Sequence, residues 1–141
     1  VPLAPSADDD TYGMGRQVTL AQPLALSEIA LRVKAHLGLV HLRVAAAEAH
    51  AQGARIHCVA VCAGAGGSLF APLQGPELYL TGEMRHHDVR AKVASGASVI
   101  LCYHTHTERG YLPSLARRLA ERVPTIDVTV SVRDRDPLEV V

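Results

Sequence analysis

The sequence predicts an α/β protein, a layered fold in which a mixed or mostly parallel sheet has flanking helices. Two observations support this class. Segments with strand-like apolar patterns alternate with segments whose apolar residues recur every three or four positions, and the connections are short. An apolar run at 97–102 also leads through a polar cluster at 103–111 into a helical stripe at 112–123. This strand–loop–helix succession places polar groups at the carboxyl end of a strand, where α/β sheets collect their functional residues.

In the first half of the chain, a strand is predicted at 16–20 and a helix from Ser27 to Leu37. Ser27 is the predicted N-cap, and Gly38 follows the last turn. Residues 41–45 alternate polar and apolar side chains and predict a strand, whereas the alanine-rich residues 46–53 fit either a short helix or a loop. The apolar positions of the helix share one face: Ile29, Ala30, Val33 and Leu37.

The second half repeats the alternation of strands and helices. The charged residues 133–137 are predicted to form an exposed tail. The predicted order is strand 55–61, a short helical or loop segment to 73, strand 78–81, helix 88–95, strand 97–102, helix 112–123 and strand 125–132.

Residues 1–16 are rich in Pro, Asp and Gly and are predicted to be a connector with little structure of its own. Residues 17–141 are predicted to form a single α/β domain. Because the chain starts with neither an initiator methionine nor a basic leader, we expect it to be part of a larger protein, and the resemblance described below implies that it is the carboxyl-terminal part.

Composition argues against two classes of partner. Fourteen basic and fourteen acidic residues cancel, so no net field favours nucleic acid or an anionic membrane, and aromatic residues for base stacking are few. No apolar stretch has the length of a membrane span. Three cysteines, an odd number, suit a reducing compartment better than a disulfide scaffold. These features predict a cytoplasmic protein.

Three predicted strands end in polar or glycine-rich loops, at Gly64–Ser68, Thr81–Asp88 and His104–Glu108. If the strands are parallel, the three loops lie along the same edge of the sheet and form one cleft. The functional hypotheses below depend on that topology.

The first loop is a candidate anion- or substrate-binding site. Glycines let backbone N–H groups approach an anion closely, and a serine adds a hydroxyl. The spacing matches neither the P-loop nor the dinucleotide-binding fingerprint. A tight strand-to-helix turn explains the glycines equally well. The candidate residues are Gly64, Gly66, Gly67 and Ser68.

The second loop holds the candidate catalytic residues. A carboxylate beside an imidazole fixes the histidine tautomer, either for proton transfer or in support of a metal ligand. The alternative is that one histidine caps the following helix and the others are solvated. The candidates are Glu83, His86, His87 and Asp88.

The third loop holds the candidate metal ligands, His104 and Glu108. In a helical segment these two side chains share a face, and in an extended one His106 joins them as a possible third ligand. An imidazole with a carboxylate suits a divalent transition metal such as Zn, Fe, Mn, Co or Ni. Two ligands form only part of a site, and a surface helix with an acidic first turn is the alternative.

Four stretches with matching order and spacing resemble the carboxyl-terminal portion of the NIF-three-like proteins, also called GTP cyclohydrolase I type 2 homologues. The resemblance extends from about Tyr12 to Val141, and the end of the chain is most similar to the animal members. The stretches are Cys62–Ser68, Leu78–Glu83, His86–Asp88 and His104–Gly110.

The resemblance implies a dinuclear-metal protein with α/β domains, assembled as a homo-oligomer in the form of a hexameric ring. It implies that His104 and Glu108 are metal ligands and that the remaining ligands lie in the amino-terminal half of the family's proteins. The 141-residue chain is therefore expected to be inactive alone. A metal-dependent, cyclohydrolase-like hydrolase is the first hypothesis. An interaction or scaffold module for transcription-related partners, also present in the nucleus, is the second.

Overall fold

The computed structural model describes residues 1–138. Most predicted elements are present, with ends shifted by a few residues. The strands are β1 (Ala4–Pro5), β2 (Gly13–Met14), β3 (Arg16–Leu24), β4 (Arg43–Ala45), β5 (Ile56–Ala65), β6 (Leu78–Glu83) and β7 (Ser98–Leu101). The α-helices are α1 (Leu26–Leu37), α2 (Glu48–Ala51), α3 (Gly67–Phe70), α4 (His86–Ala94) and α5 (Leu112–Arg122), and two 3₁₀ turns lie at Thr105–Thr107 and Arg109–Tyr111.

The main sheet is mixed, with the strand order β3-β5-β6-β7-β4. The inner pairs β5–β6 and β6–β7 are parallel, whereas β3 and β4 add antiparallel edges. The predicted α/β class with a mixed sheet and flanking helices is confirmed. The inner position of these strands agrees with their sequences, because a strand that is covered on both faces has a nearly continuous run of apolar residues.

Apolar clusters cover both faces of the sheet. On one face, Leu26 and Ile29 of α1 pack against Ile56, Leu78 and Ile100. On the other face, the cluster contains the buried residues Ala60, Phe70, Tyr79, Ala97, Val99 and Leu101. Each fully buried large apolar side chain contributes about 1.5–3 kcal/mol to the free energy of unfolding, so these clusters hold the inner strands rigidly.

The start of α1 differs from its prediction. Its N-cap is Ala25, without a side-chain hydrogen bond, and the predicted cap Ser27 lies inside the first turn. The end agrees with the sequence. Gly38 adopts a left-handed conformation (φ 65°) and donates its N–H to Lys34 O, which only glycine does without strain.

The predicted strand at 125–132 is wrong, since the structure places no strand there. Most of this segment is exposed, and Val128 and Val130 line a hollow together with Leu115 and Leu119 of α5. The alternating pattern of this segment therefore does not correspond to pairing with a sheet edge. Within 1–16, the predicted connector contains the β1–β2 ladder, in which Ala4 pairs with Met14.

The segment 133–137, predicted to be exposed, is tied back onto the loop after β7. Asp136 accepts a hydrogen bond from Thr105 Oγ1 at 2.7 Å, and Arg109 donates to Asp134 Oδ1 at 3.0 Å. The Thr105 hydroxyl and the Leu138 N–H lower the pKa of the Asp136 carboxyl. Only 15% of the Asp136 side chain is exposed. The segment around Asp136 therefore lies against the loop that follows β7.

Thr81 joins the carboxyl ends of two parallel strands. Its fully buried hydroxyl donates to Gly64 O at 3.0 Å and accepts the Gly66 N–H at 2.9 Å. Both backbone groups follow the point where the β5–β6 register shifts. One side chain therefore satisfies the polar groups that this irregularity leaves unpaired.

We expect Thr81→Val to destabilise the fold by about 1–3 kcal/mol, because it leaves a buried carbonyl and a buried N–H without partners. Urea unfolding followed by circular dichroism measures the change. Thr81→Ser is the matched control, since it keeps the hydroxyl and removes only a methyl group. Equal stability of the valine variant and the wild type would contradict this role.

Candidate functional site

The three polar loops meet at one edge of the sheet. Because β5, β6 and β7 are mutually parallel, their carboxyl ends lie side by side. A hydrogen bond from Gly64 N to Thr107 Oγ1 (2.8 Å) joins the first loop to the third. The second loop joins the third through Glu83 and His104. The edge predicted from sequence therefore exists as one continuous surface.

His104 lies between two carboxylates. Its Nδ1 is 3.1 Å from Glu83 Oε2, and its Nε2 is 3.5 Å from Glu108 Oε1. The hydrogen bond to Glu83 and, secondarily, the charge of Glu108 raise the pKa of the imidazole. About half of each of the three side chains is exposed, so the cluster is open to solvent. Glu83 holds one ring nitrogen and leaves the other facing Glu108.

The backbone after β7 decides between the two predicted arrangements of this loop. Thr105–Thr107 form a 3₁₀ turn, and Glu108 is also in a right-handed conformation. The helical alternative therefore applies, which keeps His104 and Glu108 on one face. His106 turns away, with its Nδ1 3.5 Å from Asp136 Oδ2.

Thr107 links this turn to the first loop. Its hydroxyl donates to His104 O at 2.7 Å and accepts the N–H of Gly64 at 2.8 Å. The same hydroxyl thus tightens the turn and fixes its distance from β5. The position of Glu108, the next residue, depends on this bridge.

Gly64 leaves the space in which His104 and Glu108 approach each other. A Cβ atom there would lie 2.5 Å from Glu108 Oε1 and 3.2 Å from His104 Nε2. The residue also has φ 65°, a conformation that other residues rarely adopt. Glycine is required twice over, by backbone conformation and by the cradle in front of the two side chains.

This donor set fits a divalent transition metal as half of a site. An imidazole nitrogen and a carboxylate oxygen converge in a cradle without a side chain, and a second carboxylate orients the ring. Within residues 1–138, no group of three or more His, Cys, Asp or Glu side chains is arranged to hold a metal ion. A complete site therefore needs further ligands besides these two.

The glycine loop uses part of its backbone internally. The N–H of Gly64 is bound by Thr107 and that of Gly66 by Thr81. A Cβ on Gly66 would also meet Thr81 Oγ1 at 2.7 Å. Close packing thus accounts for these two glycines. Gly67 and Ser68 line a cavity of about 550 Å³ with Glu83, Met84, Arg85, Asp88, Arg43 and Ala65.

The other residues of the second loop lie away from His104. His86 and His87 are exposed at the start of α4, and Asp88 is paired with Arg85 Nε at 2.8 Å. His87 Nε2 is 3.4 Å from Asp88 Oδ1. Of the four candidate catalytic residues, Glu83 contacts the candidate metal ligand His104, whereas Asp88 shares only the 550 Å³ cavity with Glu83.

A second cavity, of about 900 Å³, also has Glu83 in its lining. It is lined by the residues that follow α1, the loop after β7 and the segment that carries Asp136. Arg43 and Glu83 line both cavities, and His104 lines the larger one. The two cavities are therefore neighbours that share two charged side chains.

Sequence analysis missed four residues that build this edge: Arg43, Thr81, Thr107 and Asp136. Thr81 carried a usable signal, since a threonine that ends an apolar strand needs a partner for its buried hydroxyl. The other three act through contacts with segments distant in sequence. Spacing alone could not identify them.

Comparison with known proteins agrees with this architecture. The family model described as Duf34/NIF3 (NGG1p interacting factor 3) matches residues 2–137. The rat NIF3-like protein 1 is 46% identical over 132 residues, which cover 92% of this chain and 34% of the rat protein. The NGG1-interacting factor 3 of Saccharomyces cerevisiae is 39% identical over 135 residues, covering 94% and 46% of the two chains. The chain thus spans about a third of the length of its mammalian relatives.

Solved structures share the fold. The Bacillus cereus protein related to NIF3 superposes with a TM-score of 0.72 at 22% identity, over 94% of this chain and 37% of its own. The Staphylococcus aureus protein SA1388 gives a TM-score of 0.71 at 23% identity, over 94% and 44%. Among residues 1–138, none of the helices has the length and apolar character needed to cross a membrane. The predicted family, with animal relatives among the most similar, is confirmed: the chain belongs to the Duf34/NIF3 family.

Proposed function

We propose that this chain supplies half of a divalent-metal site in a hydrolase-like protein. One observation carries the proposal. His104 presents Nε2 toward Glu108 Oε1 at 3.5 Å, while Glu83 holds its Nδ1 at 3.1 Å. A metal-binding histidine usually has one ring nitrogen held by a carboxylate, which leaves the other nitrogen for the metal, and here that other nitrogen lies beside a second possible ligand.

In this proposal, each residue at this edge of the sheet would have its own role in binding or orientation. His104 and Glu108 would hold the ion, whose chemistry when bound is that of a Lewis acid. Glu83 would fix the tautomer of His104 and keep its ring in place. The cavity beside Ser68 would receive the substrate. His86 and His87 remain candidates for proton transfer, at the exposed start of α4.

The proposal requires ligands from outside the described residues. The resemblance assigns them to the amino-terminal half of the family's proteins, and this chain covers 34% of the rat relative. We therefore expect the 141-residue chain to have no activity by itself. A homo-oligomeric ring, the metal identity among Zn, Fe, Mn, Co and Ni, and a cytoplasmic location remain predictions of the same hypothesis.

Replacing His104 with Ala should abolish metal binding by the full-length protein, because about three protein ligands are usual in such a site and this change removes one. Elemental analysis after dialysis measures the metal content per chain. His87→Ala is the matched control, since His87 is exposed and its one ion-pair partner is Asp88. Stoichiometric metal in the His104 variant would refute the proposal.

Glu83→Gln should weaken metal affinity about tenfold while leaving the fold intact, because the charge that orients His104 is lost. Competition with a chromophoric chelator gives the dissociation constant in the full-length protein. Glu121→Gln on α5 is a control of the same chemistry at an exposed position. An unchanged constant in the Glu83 variant would remove its assigned role.

A protein-interaction module is the second candidate, favoured by the surface of α5. Leu115 is 37% exposed and Leu119 is 40% exposed, on a helix whose other face carries arginines. The yeast relative is named an NGG1-interacting factor. In this hypothesis the metal is structural or incidental, the partners are transcription-related, and the protein is also present in the nucleus.

If α5 binds such a partner, Leu115→Glu combined with Leu119→Glu should abolish binding to the NGG1 homologue of the same organism. The reason is that two charges would be buried in an apolar contact. His104→Ala should leave that binding intact. A pull-down with purified proteins measures both, with Arg117→Glu as the control on α5. Binding lost in the His104 variant and kept in the leucine variant would contradict this role of α5.

A further inference from the structure

Arg43 lies at the edge of the sheet that carries the three polar loops, although it is distant from them in sequence. It begins β4 and pairs in register with Leu101, the last residue of β7. Because β4 is antiparallel to β7, its first residue lies at the edge where β7 ends. Arg43 lines both the 550 Å³ and the 900 Å³ cavity.

The charge of Arg43 is left available for a ligand. Nearby arginines are neutralised, since Arg85 pairs with Asp88 at 2.8 Å and Arg109 with Asp134 at 3.0 Å. Within residues 1–138, no carboxylate lies within ion-pair distance of Arg43. Its guanidinium instead lies 6.0 Å from the ring centroid of Tyr103, the outer range of a cation–π contact. An aromatic face orients a guanidinium without neutralising it.

Tyr103 occupies its place at a conformational cost. Its φ of 64° is left-handed, and it is the one non-glycine residue with positive φ among the described residues. Such a backbone is strained and persists where the surroundings fix it. Tyr103 directly precedes His104, so the same strained residue connects the Arg43 contact to the proposed metal ligand.

Resting on the proposed function, we infer that Arg43 binds an oxyanion group, carboxylate or phosphate, of a small organic substrate. Tyr103 is its positioning residue. The planar guanidinium offers parallel N–H donors that match two oxygens of either group. Arg43 and Glu83 line both cavities and His104 lines the 900 Å³ one, so a molecule anchored at Arg43 in that cavity would lie beside His104.

The other hydrogen-bond donors near the two cavities are less suited to bind this oxyanion. Arg85 is held by Asp88, and the N–H groups of Gly64 and Gly66 are used internally. Of the two cavities that Arg43 lines, Arg135 lines only the 900 Å³ one. Arg43 is thus the cation common to both cavities whose donors have no carboxylate partner among the described residues, and it becomes the specificity-determining residue of the site.

The test is a nuclear magnetic resonance titration of the 141-residue chain with methyl phosphate and with acetate, at constant ionic strength. We expect saturable shifts of the backbone amides of Arg43, Tyr103 and His104. Arg43→Ala should weaken binding at least about tenfold, the effect of losing charge-assisted hydrogen bonds. Arg90→Ala, exposed on α4, should change nothing. Tighter binding of methyl phosphate assigns a phosphorylated substrate, and tighter binding of acetate a carboxylated one.

Tyr103 variants test positioning separately from folding. Tyr103→Phe should keep the affinity, and Tyr103→Leu should reduce it several-fold with an unchanged amide spectrum elsewhere. Absence of saturable binding to both probes, or equal affinity in the wild type and Arg43→Ala, overturns the inference. Metal content of the full-length His104→Ala variant is measured independently, so a failed metal site and a failed anion subsite give different results.

Discussion

The parallel alignment of β5, β6 and β7 is the constraint on which the functional edge depends. It brings the ends of three strands together, although the loops are separated by long stretches of sequence. The apolar clusters on both faces fix the register of these strands, because a shift by one residue would move each side chain to the opposite face of the sheet. The antiparallel strand β4 then adds Arg43 from the opposite chain direction.

The hydroxyl groups of two threonines fix the geometry of the loops that follow the aligned strands. Thr81 and Thr107 each bind one N–H group of the glycine loop and one carbonyl. Both contacts use neutral hydrogen bonds, so they draw on none of the charged side chains at this edge. Glu83 and Arg43 line the two cavities, and Glu83 also binds His104.

Apolar periodicity predicted the strands and helices well because it is a local property of the sequence. The alternation at 125–132 misled for the same reason, since a local pattern does not show whether a segment has a strand to pair with, and this one pairs with none. The pair His104 and Glu108 could be anticipated from their separation by one helical turn. The contacts of Arg43 and Asp136 could not, because each joins segments whose proximity depends on the tertiary fold.

The chain is neutral overall, but acidic and basic side chains occupy different positions at the edge of the sheet that carries the three polar loops. Carboxylates of Glu83 and Glu108 flank His104, and Arg43 lines both cavities. In the proposed site, a cation and an organic anion would thus be bound at adjacent positions, each by residues of opposite charge. Since the two charges of such a pair attract more strongly when water is displaced from between them, binding of either should favour binding of the other. Among residues 1–138 no ion pair joins Arg43 to Glu83 or Glu108, so each proposed ligand would meet side chains that do not neutralise one another.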